Sequence, residues 1–396
     1  MMTTLRITCR DPIVSRDGRP FGAGQGNRMR GLDWVLPSVL AGALRTTLGK
    51  AEKRDFSIDV AEDLLRVEVA GPFPLANQQL YLPAPDDCVV HPEKGPLRAV
   101  PQPLDKGGCD WPATGLQPVG LTDTGAPEEF KPEQTPPWWP EERVAAWLAD
   151  DKEISFDNGF LLAPEKVERT HVKLNSATGA AEDGALFTTT ALALTDLLRH
   201  GVRAQEPRSS RFAAITLVAR VRASGWCGET AARLDTLHPL GGERRLVHWK
   251  AAETNAWSCP ERVREALATT SRIKRIRMVL ATPAIFRDGW KPGWLNDELV
   301  GTPPGATVSL RLVGVSIQRW RAVSGWSLTE LPAALGRPQR QPRGPKPVKR
   351  VVPSGGVYFF ENDEKASELA GLWLESVSDD EQDRRDGFGL AVWGIW

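Results

Sequence analysis

The sequence predicts an α+β fold in two halves, and three observations carry that reading. A strand, a helix and two further strands follow one another near the N-terminus. Strand and helix patterns recur in the second half, and a Pro/Gly-crowded stretch with little periodicity interrupts the first.

Residues 5–14 read as the first strand, with Leu5, Ile7 and Cys9 on one face. After Pro37, Ser38 is a candidate cap for a helix in which Val39, Leu40, Ala43, Leu44, Thr47 and Leu48 fall at helical spacing. Residues 64–69 and 79–82 read as the next two strands, and this β-α-β-β order is the first part of a ferredoxin-like unit. Residues 83–140 read as a surface insertion. Trp138 and Trp139 pin it to the body, and Pro140, Glu141 and Glu142 begin a short helix after it.

Residues 167–174 and 186–194 form the arms of a hairpin joined by a small, polar connection. Alternation places Arg169, His171 and Lys173 on one face of the first arm. A strand over 212–221 completes the first domain. In the second half, 244–249 is a strand, 260–268 a helix, 275–281 a strand, and 308–323 a long strand bulged near Gly314. A strand over 357–360, a helix over 364–375 and a terminal strand over 389–393 follow. The division is 1–225 and 226–396, with an insertion at about 83–150, a hairpin at about 167–194 and a Gly-rich loop at 384–394.

Lysine plus arginine and aspartate plus glutamate are both 50, so the net charge is zero. A free-standing nucleic-acid binder is usually basic overall, so any such role rests on local patches. The five cysteines are scattered with no Cys-x-x-Cys pair, which indicates neither a disulfide framework nor a zinc site. No secretory signal is visible, and no stretch approaches the ~18 apolar residues of a membrane helix. The expectation is a cytoplasmic protein without cofactors.

Catalytic signatures are sparse. The five histidines show no His-Glu-x-x-His spacing, and there is no Gly-x-x-x-x-Gly-Lys-Ser/Thr loop. Gly22, Gly24 and Gly26 miss the dinucleotide spacing. The pairs Glu141/Glu142 and Asp150/Asp151 are explained by helix ends. His171 beside Arg169 and Lys173 is a candidate acid or base toward an RNA 2′-hydroxyl, a backbone-gripping residue, or a structural histidine.

Two Gly/Arg-rich loops are the strongest positive signal. One runs from Arg16 through Arg19 to Gly31; the other joins Arg384 and Arg385 to Gly387-Phe388-Gly389 and a terminal apolar strand. Glycines permit sharp turns and close approach, and arginines suit anionic ligands. A proline-spaced basic run at 337–350 reads as extended, and the acidic residues 379–383 as a solvated linker.

Asp11-Pro12, Arg16-Asp17-Gly18-Arg19-Pro20-Phe21, the helix from Pro37 to Arg45, and Leu240-Gly241-Gly242-Glu243-Arg244-Arg245 occur in order. Ser324-Gly325-Trp326, the segment from Val352 to Phe360 and the closing Gly387 to Gly394 complete the set. Together they resemble the subunit-three family of the Cmr complex, the type III-B CRISPR effector, within the RAMP superfamily. The resemblance runs end to end and is thinnest over 83–140.

The resemblance implies two ferredoxin-like (RRM-like) domains packed together, with long loop insertions and a projecting β-hairpin. It implies a non-catalytic subunit that holds the 5′ tag of the guide RNA. Its implied protein partners are the large cyclase/polymerase-like subunit and the backbone RAMP subunit. Carried onto this chain, the tag-binding candidates are Arg16, Arg19, Arg45, Arg244, Arg245, Gly387, Phe388 and Gly389. Arg169, His171 and Lys173 form the basic face of a guide-kinking hairpin. For each arginine the alternative is a surface or ion-paired side chain. One rival function is a RAMP endoribonuclease using His171 with Lys173. Another is a sugar- or small-molecule-binding module built on Trp111, Trp138, Trp139, Trp290 and Trp294. A nucleotide at the large-subunit contact is also allowed by the resemblance.

Overall fold

β1 (Met2–Cys9), β2 (Glu68–Ala76), β3 (Thr216–Arg222) and β4 (Leu246–Ala252) pair antiparallel in the spatial order β4-β1-β3-β2. The computed structural model describes residues 1–396 except 19–20, 22–26, 104–114, 122–129, 152–153, 155–158, 195–214, 254–256, 270–273, 328–343 and 363–365. α1 (Pro37–Ala51) joins β1 to β2, and α2 (Gly225–Ala232) joins β3 to β4. Leu40, Leu44 and Leu48 of α1 share one core with Leu5, Ile7, Val221 and Trp249, as their helical and strand spacings require. α1 starts one residue before the expected cap: Leu36 is the N-cap, and Pro37 takes the first helical position, where its missing N–H costs nothing.

β5 (Lys274–Leu280), β6 (Leu310–Ser316), β7 (Val357–Asn362) and β8 (Leu390–Ile395) form the second sheet in the order β6-β7-β5-β8. The order of the first sheet recurs: the first strand lies between the third and fourth, and the second flanks the third. The helices do not repeat. Residues 281–309 join β5 to β6 without a helix. α3 (Glu261–Ala268), the 3-10 turn Ser367–Leu372 and the helix Glu141–Leu148 cover this sheet instead. The first half therefore lends a helix to the core of the second.

Several sequence expectations change. The residues 64–69 expected as strand divide between a helix, Ile58–Leu65, and β2, because Ala61 and Leu64 are the helix's buried stripe and Ser57 caps it. The division at 225/226 splits the first sheet, since β4 and its neighbour Asp235–Pro239 lie beyond it. The expected long strand 308–323 carries its bulge between Leu312 and Gly314 but ends at Ser316; Arg321–Val323 then pairs with Lys349–Val351. Ser367–Leu372 is a 3-10 turn rather than an α-helix, with Gly371 inside it.

Part of the 83–140 segment, expected as a surface insertion, is built into the body. Cys88–His91, Gly95–Pro101 and Val119–Leu121 form a small antiparallel sheet. Cys88 and Val90 join the second core. Asp87 is fully buried against the equally buried Arg277, with Nε to Oδ2 at 2.9 Å, and Trp147 Nε1 donates to Asp87 Oδ1 at 3.0 Å. Strands this short, bounded by prolines, carry too little alternation to be read from sequence.

Candidate nucleic-acid interface

The hairpin arms are Glu165–Leu174 and Ala181–Ala193, with His171 opposite Phe187 and Arg169 opposite Thr189. Asn175 Oδ1 accepts the amides of Ala177 and Thr178 and closes the tip. A third strand, Asn27–Arg28, pairs parallel with Phe187–Thr188, so the return limb of the N-terminal Gly/Arg loop runs along the hairpin. At the base, Ile13 bridges Leu192, and Ala191 packs on Val14 and Met29.

The loop 241–245 reaches the same place. Gly242 N–H donates to Val14 O at 2.9 Å. Gly241 has φ +78°, and a Cβ there would lie 2.4 Å from that oxygen, so only glycine fits. Glu243 and Arg244 also take left-handed backbone, φ 56° and 51°. Glu243 Oε1 then lies 3.8 Å from His171 Nε2 and also holds Arg245 through its other oxygen. The His171 ring stacks on Phe187 at 5.2 Å and 16°, Phe21 meets Phe187 edge-on, and Nε2 is 2.9 Å from Thr189 Oγ1.

Arg169, His171 and Lys173 share one face of the hairpin, which the 241–245 loop with Arg244 meets through Glu243. Arg28 lies on the other face beside Glu168, and Arg16 bridges Gly31 near the base. Arg16, Arg28, Arg169, Lys173 and Arg244 are exposed, His171 half-buried. Arg28 with Glu168 and Lys173 with Glu182 are exposed pairs, which contribute little to stability. Arg169 and Arg244 have no carboxylate partner among the described residues. Asp33 ties the hairpin base to the second half through Lys166 at 2.7 Å and Arg321 at 2.9 Å. Burial alone would raise the Asp33 carboxyl, but those hydrogen bonds and charges hold it below its ordinary value. Phe187 had no sequence signal beyond the strand alternation of the second arm, and Arg28 none beyond its place in the N-terminal Gly/Arg loop. Arg19 lies outside the described residues.

The C-terminal loop is a different object. Asp380 caps α4 (Glu381–Arg385) by accepting the amides of Gln382 and Asp383. The Gly387, Phe388 and Gly389 amides donate to Arg384 O, Asp383 O and Pro283 O at 3.0, 3.0 and 2.7 Å. Phe388 is 3% exposed and packs with Leu32, Leu36, Ile285, Val323 and Val351. Arg45 is 7% exposed; it pairs with Asp386 and donates to Val67 O at 2.7 Å. Arg45, Gly387, Phe388 and Gly389 are therefore packed in the seam between the halves, with their amides and charge already used. Asp383, expected in a solvated linker, is 7% exposed and bound by Lys349 at 2.6 Å. Arg220, Arg222, Arg384 and Arg385 line a nearby cleft of about 390 Å³, but Glu375, Glu381 and main-chain oxygens occupy them.

Among the described residues no group of three or more His, Cys, Asp or Glu side chains is placed to hold a metal. His91 accepts the amides of Glu93 and Lys94, His238 meets Thr47, and His248 pairs with Asp235. Trp138 and Trp139, weighed as ring platforms, are buried; Trp290 is 38% exposed, and Trp111 lies outside the described residues. No described helix is long and apolar enough to cross a membrane.

The chain matches the CRISPR-associated protein family Cas_Cmr3 over residues 5–396. Among curated proteins no significant sequence match is found. Among solved structures it is similar to a chain of the type III-B Cmr-beta complex bound to cognate target RNA, with TM-score 0.44 and 11% identity over 97% of this chain and 95% of that one. A second Cmr-beta structure, bound to cognate target RNA and AMPPnP, gives TM-score 0.41 and 13% identity over 90% and 86%. The Csm3–Csm4 subcomplex of the type III-A CRISPR-Cas interference complex gives 0.37 and 9% over 91% and 94%. The chain belongs to the CRISPR-associated Cas_Cmr3 family.

Proposed function

From that membership we propose that this chain is a non-catalytic, RNA-holding subunit of a type III-B Cmr effector. It grips the 5′ tag of the guide RNA and bridges the large cyclase/polymerase-like subunit to the backbone RAMP subunit. The observation that carries the reading is the meeting of the N-terminal Gly/Arg loop and the 241–245 loop at the hairpin, with basic side chains on both of its faces. Arginines there position phosphates, and the Phe187–His171 stack offers an aromatic ring face to an unpaired base. The shared strand order supports two ferredoxin-like domains, with the boundary after β4 rather than at 225. The contact residues on this reading are Arg16, Arg28, Arg169, His171, Lys173 and Arg244, with Arg45 and Gly387–Gly389 shaping the body behind them.

Co-purification from the native host, with sequencing of bound RNA and identification of bound proteins, tests the proposal. Guides that share one 5′ tag, together with the two partner subunits, are expected. Protein that carries neither would overturn it. The endoribonuclease reading has one observation in its favour, the Glu243 carboxylate 3.8 Å from His171 Nε2, which can orient an imidazole. Metal-independent cleavage of repeat RNA that disappears in His171→Ala would promote it.

A further inference from the structure

We infer that the ribbon made by Arg321–Val323 and Lys349–Val351 carries a second contact for single-stranded RNA, with Trp320 as the ring on which an unpaired base stacks. This rests on the RNA-holding reading and adds a site on the second half of the chain. The ribbon's register sets Ala322 opposite Arg350 and Val323 opposite Lys349. Val323 and Val351 point inward, 4% and 2% exposed, onto Leu32, Leu36 and Phe388. Alternation then sends Trp320, Val348 and Arg350 outward. Trp320 is 48% exposed and Val348 59%, whereas Trp139, Trp147, Trp249 and Trp393 are fully buried.

The Arg350 guanidinium lies 4.9 Å from the Trp320 ring centroid and holds that ring in place on the surface. Residues 316–327 and 344–356 contain no acidic residue. Lys349 and Arg321 are taken by Asp383 and Asp33, but Arg319 and Lys346 have no carboxylate partner among the described residues. An exposed indole among unpaired cations fits a polyanion with accessible ring faces. Protein interfaces also favour tryptophan and arginine, so the choice of RNA rests on the absence of acidic residues from both segments and on the contact with the N-terminal loop.

The ribbon continues the surface already described. Gly18 N–H donates to Ala322 O at 3.2 Å, and a Cβ at Gly18 would sit 2.9 Å from Ser324 Cβ, so the N-terminal loop lies directly on the ribbon. A cleft bordering the ribbon is lined by Asp288, Asp379, Asp380 and Asp383 together with Arg287, Lys349 and Arg350. The contact of Gly18 with Ala322 gives the RNA strand a path from Trp320 toward the N-terminal loop and the hairpin.

The test is anisotropy titration of the full chain with a short unstructured RNA, as a single strand and as a duplex. Trp320→Ala is expected to weaken single-strand binding by about 5- to 150-fold, the range for losing one stacked base. It should leave the salt dependence and duplex binding unchanged, and Trp320→Phe should retain most of the affinity. Ultraviolet crosslinking should map to the Trp320 peptide. If Trp320→Ala binds as the parent does while Arg28→Glu with Arg244→Glu loses binding, this site is overturned and the RNA-holding reading stands. If Trp320→Ala loses a co-purifying protein but not RNA, the ribbon is a protein dock and the inference falls. Absence of RNA binding by the chain overturns both readings.

Discussion

Two loops of nearly the same composition, glycines flanked by arginines, end in opposite environments. In the loop that begins at Arg16, the described Arg16 and Arg28 stay at the surface, and its return limb Asn27–Arg28 becomes a strand beside the hairpin. The loop that ends at Gly389 is driven inward. Its amides are spent on main-chain oxygens, Phe388 fills an apolar cluster, and Asp386 is the counter-ion of Arg45. A Gly/Arg loop therefore signals only that the backbone must turn tightly near charge. Whether the charge awaits a ligand or a carboxylate of the same chain is settled by what packs over it.

That contrast can be broken most directly at Arg45. Arg45→Ala leaves Asp386 buried without its partner and should cost about 3–5 kcal/mol of stability in chemical denaturation. Adding Asp386→Ala should restore part of the loss. A stable Arg45→Ala protein with weakened RNA binding would place Arg45 in the interface after all. Gly387→Ala comes next: with φ +88° and a Cβ 2.4 Å from Val69 O, it should cost roughly 2–4 kcal/mol and lower the melting temperature. An unchanged melting temperature would mean the seam can open.

The helix lent to the second half supplies a pH-dependent control. Burial pushes the Glu141 carboxyl up to about 7, and its Oε1 lacks a hydrogen-bond partner. The folded state thus holds its proton more tightly than the unfolded chain. The stability this confers is fully present below the ordinary carboxyl value of 4.5 and is lost as pH rises through about 7. Glu141→Gln should flatten that dependence and stabilise the protein at alkaline pH by on the order of 2–3 kcal/mol, read from denaturation at several pH values. A parent protein whose stability is flat between those limits would refute it. The smallest stability effect belongs to the exposed loop: Arg169→Glu with Arg244→Glu should change folding by about 0.5 kcal/mol or less. Its effect is on RNA, where affinity should fall and the salt slope become shallower as phosphate contacts are removed. Unchanged affinity would remove this pair from the interface.

Sequence legibility followed the length of the pattern. α1, the hairpin and the strands β1, β5, β7 and β8 had enough apolar alternation or helical spacing to be read directly, and the basic face of Arg169, His171 and Lys173 followed from the hairpin alone. The short strands at 88–121 did not, because stretches of three to seven residues broken by glycines and prolines define no clear period. Nor did the strand at Asn27–Arg28, which exists only because the hairpin lies beside it.

By itself the sequence determined the α+β class, the family, and the helical and strand faces, since these depend on patterns among neighbouring residues. Tertiary structure decided which charges are available. Arg45 and Arg244 are equally arginine in the sequence, but α1 carries one into the seam beside Asp386 while the left-handed turn after Gly241 carries the other to the surface. Burial and pairing arise between segments hundreds of residues apart, and no local pattern encodes them.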